Sequence, residues 1–296
     1  MKYLSINDLE LFSGIKAHTI RMWEKRYAFL EPKRTIINTR NYSIAEAEQF
    51  LAAVLLYHNG YKISKIAGLL PEESEERGKQ LTDKEALQMK AAYSLVIALA
   101  REDIAVIEKI VEQSIQQWGL TESIKMAFIP FCEKANLLWL RKTPFNYTEQ
   151  VTYHLMQQKL VQALDEKTDI SQTSGTALIF SLPEERAELA LLYTSFLLKA
   201  YRIKTLIAGE LLSSQETVPF IQKQEPSLVI THSIRKKNKA TLHQFLQDLS
   251  RHSPAVKAIL LGAPTEDKDL VYYMNGRFAN LESYLQSLLQ ESTILA

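Results

Sequence analysis

The sequence predicts a multidomain α and α/β protein, helical through its first half and α/β in its second. Three observations carry that expectation. Apolar residues recur at spacings of three and four as far as residue 166. From residue 176 short apolar runs alternate with helical stretches. Only 9 Gly and 9 Pro in 296 residues leave little room for repeats or turn-rich β architecture. With 46% hydrophobic and 23% charged residues the chain is an ordinary globular mixture, and its length suggests about two domains.

Composition also excludes function classes. The single Cys132 rules out a disulfide framework and any multi-cysteine zinc site, and one thiol suits a reducing cytoplasm. The first residues have no apolar signal core, and no run approaches about 18 apolar residues, so membrane partners are not expected. The net charge of +1 hides an asymmetry: residues 1–70 hold 10 Lys/Arg against 6 Asp/Glu, the rest 25 against 28. Between Lys16 and Arg40 the count is 7 against 2. A basic head on a mildly acidic body is suited to meeting a polyanion.

The head, residues 1–72, is read as a helical unit. Ser5 is placed to cap a helix over 6–12, and Ser13-Gly14 to end it. A second helix is expected over 17–27, with Ile20, Trp23 and Tyr27 on one stripe. Residues 31–40 form a polar, basic loop. Ser43 is placed to cap a helix over 44–57, Asn59-Gly60 to stop it, and a short helix to follow over 63–70. Residues 73–83, the core of a stretch rich in Glu, Ser and Gln that begins at Pro71, are read as a linker, although their Glu-Glu-Arg content also suits a longer helix.

Residues 84–168 suit a four-helix bundle, with helices over 85–100, 104–118, 121–140 and 147–164. Residues 169–296 are expected to form a Rossmann/flavodoxin-like parallel α/β domain. Its strands are placed at 176–182, 205–208, 228–232, 258–262 and 271–274, and its helices at 184–201, 215–224, 240–251 and 281–289.

The densest motif is His18-Thr19-Ile20-Arg21-Met22-Trp23-Glu24-Lys25-Arg26-Tyr27. On a helix, its apolar stripe anchors to a core while Thr19, Arg21, Met22, Lys25 and Arg26 project elsewhere. Such a division lets donors reach phosphates and base edges in a major groove. The turn at Phe12-Ser13-Gly14-Ile15 between two helices is the helix-turn-helix cue. Together with Tyr3-Leu4-Ser5-Ile6, Leu30-Glu31-Pro32-Lys33-Arg34 and Arg40-Asn41-Tyr42, the head closely resembles the MerR-type winged-helix regulators. That resemblance implies binding of double-stranded promoter DNA as a symmetric dimer. It places His18, Thr19, Arg21, Lys25, Arg26 and Tyr27 on the recognition helix, with Arg34, Arg40 and Tyr42 on the wing side. The wing tip, Thr35-Ile36-Ile37-Asn38-Thr39, lacks the glycine usual in that family.

Residues 84–296 resemble, by architecture more than by motif, the CarH/LitR-like cobalamin-dependent photoreceptor regulators. That resemblance implies a helical cap with Trp, nine residues, then Glu-His. Here Trp139 is followed after nine residues by Glu149-Gln150, so spacing holds and His becomes Gln; His154 lies one helical turn further on. The family's Glu/Asp-x-His-x-x-Gly, whose imidazole ligates cobalt, aligns with Glu185-Arg186-Ala187-Glu188-Leu189-Ala190. Ala187 has no lone pair to give a metal. The Ser-x-Leu and Gly-Gly features stand here as Thr231-His232-Ser233 and Gly262-Ala263. Trp139, Glu149 and Gln150 are therefore candidate cap residues, and no cofactor is expected, cobalamin being disfavoured by Ala187 and Gln150.

Other constellations add little. The six histidines lack metal-site spacing, there is no Gly-rich phosphate loop or Gly-x-Ser-x-Gly elbow, and Cys132 reads as a buried thiol. The basic run Arg235-Lys236-Lys237-Asn238-Lys239 follows the third α/β strand. No convergent acid, base or nucleophile set marks an enzyme. The expectation is a sequence-specific regulator whose C-terminal half serves oligomerisation, effector or partner sensing without usual cobalamin ligation. Its partners would be promoter DNA, a homodimer or higher homo-oligomer, and a regulatory protein or an unknown small ligand. The alternative is a cobalamin-dependent light- or ligand-responsive regulator with a non-standard binding mode.

Overall fold

The computed structural model describes residues 3–34, 40–139, 147–165, 175–183, 187–211, 213–233, 239–262 and 272–275. The chain divides into two compact units, Met1–Met156 and Gln157–Ala296.

The first unit opens with β1 (Tyr3–Ser5), α1 (Ile6–Ser13), α2 (Ala17–Tyr27), β2 (Lys33–Arg34), β3 (Arg40–Ser43) and α3 (Ile44–His58). Helices α1 and α3 begin for one reason. Ser5 and Ser43 each accept from the amide three residues on, and the Asp8 and Glu46 carboxylates reach back to the cap amide. Gly14, at φ +75°, ends α1 in the left-handed region, where a Cβ is strained. The Ala17 amide donates to Glu10 Oε2 at 3.1 Å, so a side chain of α1 satisfies the start of α2 and sets the turn.

The three strands form an antiparallel sheet in the order β1-β3-β2, with Leu4 opposite Tyr42 and Arg34 opposite Arg40. The sequence reading has only a loop here, because two- to four-residue strands are too short for a period-2 pattern. The wing tip lies outside the described residues.

Beyond α3 come α4 (Ile63–Ile66), shorter than the expected helix over 63–70, and α5 (Pro71–Lys79). Most of the stretch expected as a linker is therefore helical. Pro71 sits in its first turn, the Leu70 amide donates to Glu73 at 2.8 Å, and Arg77 and Lys79 lie in its last turn. Its buried residues are Ser74 and Gly78, and a Cβ at Gly78 would meet Leu55 Cδ2 of α3 at 3.4 Å. A buried face made of small residues carries no apolar periodicity, which is why composition reads as a linker.

The unit continues with α6 (Lys84–Arg101), α7 (Ile104–Ser123), a π-helical turn (Ile124–Phe128), α8 (Ile129–Trp139) and α9 (Tyr147–Asp165), within which the division between the units falls. Asp83 caps α6, which packs on α3, α7 and α8 and buries most of its second half. Gly119, at φ +76° and ψ 166°, breaks α7 where the expected helices 104–118 and 121–140 divide. Arg101 pairs with Glu48 of α3, and Lys134 Nζ donates to the Phe12 carbonyl, so bundle helices are tied to the head. Cys132 is half-buried.

The second unit holds β4 (Gly175–Ser181), α10 (Glu188–Ala200), β5 (Ile203–Glu210), α11 (Ser214–Gln224), β6 (Leu228–Ser233), α12 (Lys239–His252), β7 (Lys257–Gly262) and β8 (Tyr272–Asn275). All five strands pair in parallel in the order β5-β4-β6-β7-β8. Leu178, Phe180, Val229 and Leu260 point to one face and pack with Ile221 of α11 and Phe245 of α12. Phe180 and Phe245 meet edge-on at 5.2 Å. Helix α10 packs against β4 and β5. The strand order reverses between β4 and β6, the switch point at which such sheets open a crevice at their carboxyl ends. The helix expected over 281–289 and the basic run at 235–238 lie outside the described residues. No described helix is long and apolar enough to cross a membrane.

Candidate nucleic-acid interface

Helix α2 is built from its buried side outward. Ile20 and Trp23 are buried, and the Trp23 ring packs against Phe29 at 6.5 Å, Phe50 at 6.4 Å and Tyr57 at 5.1 Å. Fixing this face leaves the opposite one in solvent. His18, Arg21, Lys25 and Arg26 are exposed, Met22 is 60% exposed, and Thr19 and Tyr27 are half-buried. The Arg26 guanidinium lies over the Tyr27 ring at 5.5 Å, which restrains that side chain at the helix end. The structure thus leaves His18, Arg21, Lys25 and Arg26 exposed as a cationic helix surface, while Thr19 and Tyr27 are half-buried toward the side that Ile20 and Trp23 anchor.

The wing is held to that helix by Glu24. Its Oε2 accepts from Arg40 Nε at 2.9 Å, and its Oε1 accepts from the Tyr42 hydroxyl. The Glu24 side chain is only 9% exposed and that of Arg40 25%. Such a shielded, charge-assisted pair is stronger than a surface ion pair and fixes the angle between α2 and β3. Burial and the Glu24 hydrogen bond push the Tyr42 hydroxyl far above its ordinary pKa.

Tyr42 therefore departs from its expected place. It is completely buried, so it cannot touch DNA; it props the Glu24–Arg40 pair from behind. Arg40 stays at the surface with its Nε committed to Glu24. The backbone of Arg34 pairs in β2 beside Arg40, while its side chain lies outside the described residues. Sequence reasoning quotes Glu24 within the motif but assigns it no role. The signal was there: a carboxylate amid cations on the half-buried flank of a helix needs a partner.

Of the candidate cap residues, two have described side chains. Glu149 is buried, 2% exposed, and its neighbour Gln150 is exposed, as is His154. Trp139 ends α8, and its side chain is outside the described residues.

In the second unit Ala187 caps the start of α10, 6% exposed, with a methyl where the aligned family carries an imidazole. The imidazole near the carboxyl edge is instead His232 of β6. It is buried, and its Nε2 lies 3.1 Å from Thr194 Oγ1 of α10. Thr194 Oγ1 also donates to the Ala190 carbonyl at 2.7 Å. Among the described residues no group of three or more His, Cys, Asp or Glu side chains is placed to hold a metal ion. The Ala187 side chain itself has no donor to offer a metal.

Burial pulls the His232 pKa down to about 4 from an ordinary 6.5. The unfolded chain then binds the proton first as pH falls. The neutral imidazole's full contribution is present above about pH 6.5 and is lost downward to about pH 4, up to about 3 kcal/mol at roughly 1.4 kcal/mol per unit. Chemical denaturation across that range should show a steeper acid loss in the wild type than in His232→Leu, in which Thr194 keeps its bond to Ala190. Equal slopes would remove His232 from the acid response.

A basic helix backed by aromatic packing, following a tight turn and clamped to a small antiparallel wing, defines a helix-turn-helix DNA-binding regulator. Residues 4–73 match the family described as MerR HTH family regulatory protein. The chain therefore carries a MerR-type helix-turn-helix DNA-binding head, followed in sequence by further helices and a parallel α/β unit. It is 21% identical over 259 residues to the HTH-type transcriptional repressor CarH of Myxococcus xanthus, a match covering 84% of this chain and 86% of that protein. It is 30% identical over 77 residues to the HTH-type transcriptional regulator MlrA of Salmonella typhimurium, 26% of this chain and 32% of that protein. The solved monomethylamine corrinoid protein of Methanosarcina barkeri superimposes with a TM-score of 0.51 at 11% identity, covering 66% of this chain and 96% of that one, which shows a shared fold.

Proposed function

We propose that this regulator lays α2 into the major groove of a promoter, as a symmetric homodimer or higher homo-oligomer, with β2 and β3 flanking the phosphate backbone. The carrying observation is the exposed row Arg21, Lys25 and Arg26, held rigidly from behind by Trp23 and from the side by Glu24. Pre-ordered donors of this kind read base edges without paying for their own immobilisation. Residues 1–72 serve as the DNA-binding segment, 84–168 as the helical cap-like segment and 169–296 as the cobalamin-binding-type segment.

The C-terminal half assembles the protein or senses an effector or partner without a cobalt–imidazole bond, because position 187 offers no donor. The work is done by binding rather than catalysis, in the cytoplasm. Likeness to the HTH-type transcriptional repressor CarH over most of the chain supports a regulatory role for the full chain.

The full chain, incubated with adenosylcobalamin and desalted, should be colourless in dark and light. It should still shift a duplex from its own promoter region in preference to a random duplex. Arg21→Ala should weaken that shift about 5- to 100-fold if it contacts a base, with unchanged thermal unfolding. Absence of any preference between duplexes sinks the regulator reading. A retained corrinoid band instead favours the ligand-responsive alternative.

A further inference from the structure

A half-open groove of about 340 Å³ lies between α3, α5, α6 and α7, wholly within the first unit and away from the exposed face of α2. Its floor is apolar, formed by Leu51 and Leu55 of α3, Ile97 of α6, and Val106 and Ile110 of α7. The space exists because the helices meet there through small side chains: Ala52, Ser74, Gly78 and Ala98 all line it. Val106 stays 40% exposed there. An apolar concavity with a few polar groups at its rim is the usual setting of a small-ligand site.

The rim specifies what. Lys79, Lys90 and Arg101 stand over the floor with two carboxylates, Glu48 and Glu75. Both carboxylates are already neutralised, Glu75 by Lys79 at 2.9 Å and Glu48 by Arg101. Lys90, half-buried on α6, forms no ion pair among the described residues. One cation without a counter-charge therefore overlooks an apolar trough.

We propose that this groove binds an amphipathic carboxylate, its anionic head on Lys90 and its hydrocarbon tail along Leu51, Leu55, Ile97, Val106 and Ile110. The charge decides the head group, since a cationic amphiphile would face three positive side chains and two carboxylates already paired. The floor decides the tail. Position gives the site its consequence: α3 presents Leu51 and Leu55 to the groove and Phe50 and Tyr57 to Trp23 of α2. An occupant therefore presses on the helix that backs the recognition helix. The binding claim stands apart from the DNA-binding proposal and is tested without DNA.

Isothermal titration of the full chain with octanoate, decanoate and dodecanoate, each below its micelle concentration, should show one site per chain. Affinity should tighten roughly tenfold for each two-carbon extension, as burial of two methylenes implies. Lys90→Glu should weaken dodecanoate at least tenfold. Ser94→Trp, which enters the groove from an exposed position on α6, should abolish binding. Circular dichroism and thermal unfolding confirm that each variant is folded. Three outcomes overturn the site: no saturable binding by the wild type, equal affinity for dodecyltrimethylammonium, or unchanged dodecanoate affinity in both folded variants.

Discussion

Promoter affinity should fall by about four orders of magnitude between 50 and 200 mM monovalent salt, if about eight phosphates are neutralised by a dimer. Each head offers Arg21, Lys25 and Arg26 exposed on α2, with Lys33 exposed and Arg40 half-buried on the wing. Each phosphate neutralised releases condensed counterions and contributes about −0.9 to the slope of log affinity against log salt. Eight contacts give a slope near −7. Lys25→Ala should make the slope shallower by about one unit per head if Lys25 meets a phosphate, and should weaken promoter and random duplex alike. Fluorescence anisotropy of a labelled promoter duplex across a salt series reads both quantities. A slope near zero would mean that the basic face is not the binding surface, whatever the preference between sequences.

Trp23→Ala should destabilise the first unit by about 3–5 kcal/mol, the usual cost of emptying a large aromatic site in a core. Trp23 is 6% exposed and touches three rings from two other segments, so no single neighbour can move into the space. The loss falls on a small head whose core around it includes Leu4, Leu9, Phe12, Ile20, Tyr42 and Phe50. Urea denaturation followed by far-ultraviolet circular dichroism should show the transition moving to much lower urea. Met22→Ala, one residue away and 60% exposed, should leave it almost unchanged. The contrast separates the two faces of α2. Equal, small effects of both substitutions would mean that Trp23 does not anchor the helix.

Much of the fold was legible from local signals. Ser5 and Ser43 mark helix starts and Gly14 a stop, and the caps form there. Helix α2 falls at 17–27 as read, because Ile20 and Trp23 sit at helical spacing on a single core. The parallel sheet was legible because buried parallel strands are continuous apolar runs, such as Ala177 to Phe180, separated by helices. Where the pattern is weak, the reading slipped. Helix α5 buries Ser74 and Gly78, which carry no hydrophobic signal, and β1 to β3 are too short to show alternation.

The sequence by itself determined the class of this protein, because the order of turn, basic helix and wing residues in the head is a local code written over some forty positions. It also determined that position 187 has no metal donor, since that is a matter of residue chemistry alone. Only the tertiary structure decided which side of each residue meets which neighbour. It took Tyr42 out of the DNA-facing set and gave it, with Arg40, to Glu24 across 16 to 18 residues of chain. It buried His232 against Thr194, 38 residues earlier, a pairing that no motif carries. It also opened the groove beneath α3, from small residues scattered over three helices. The physical reason is common to all three: burial and pairing are properties of non-local contacts, formed only once helices and strands distant in sequence are packed together.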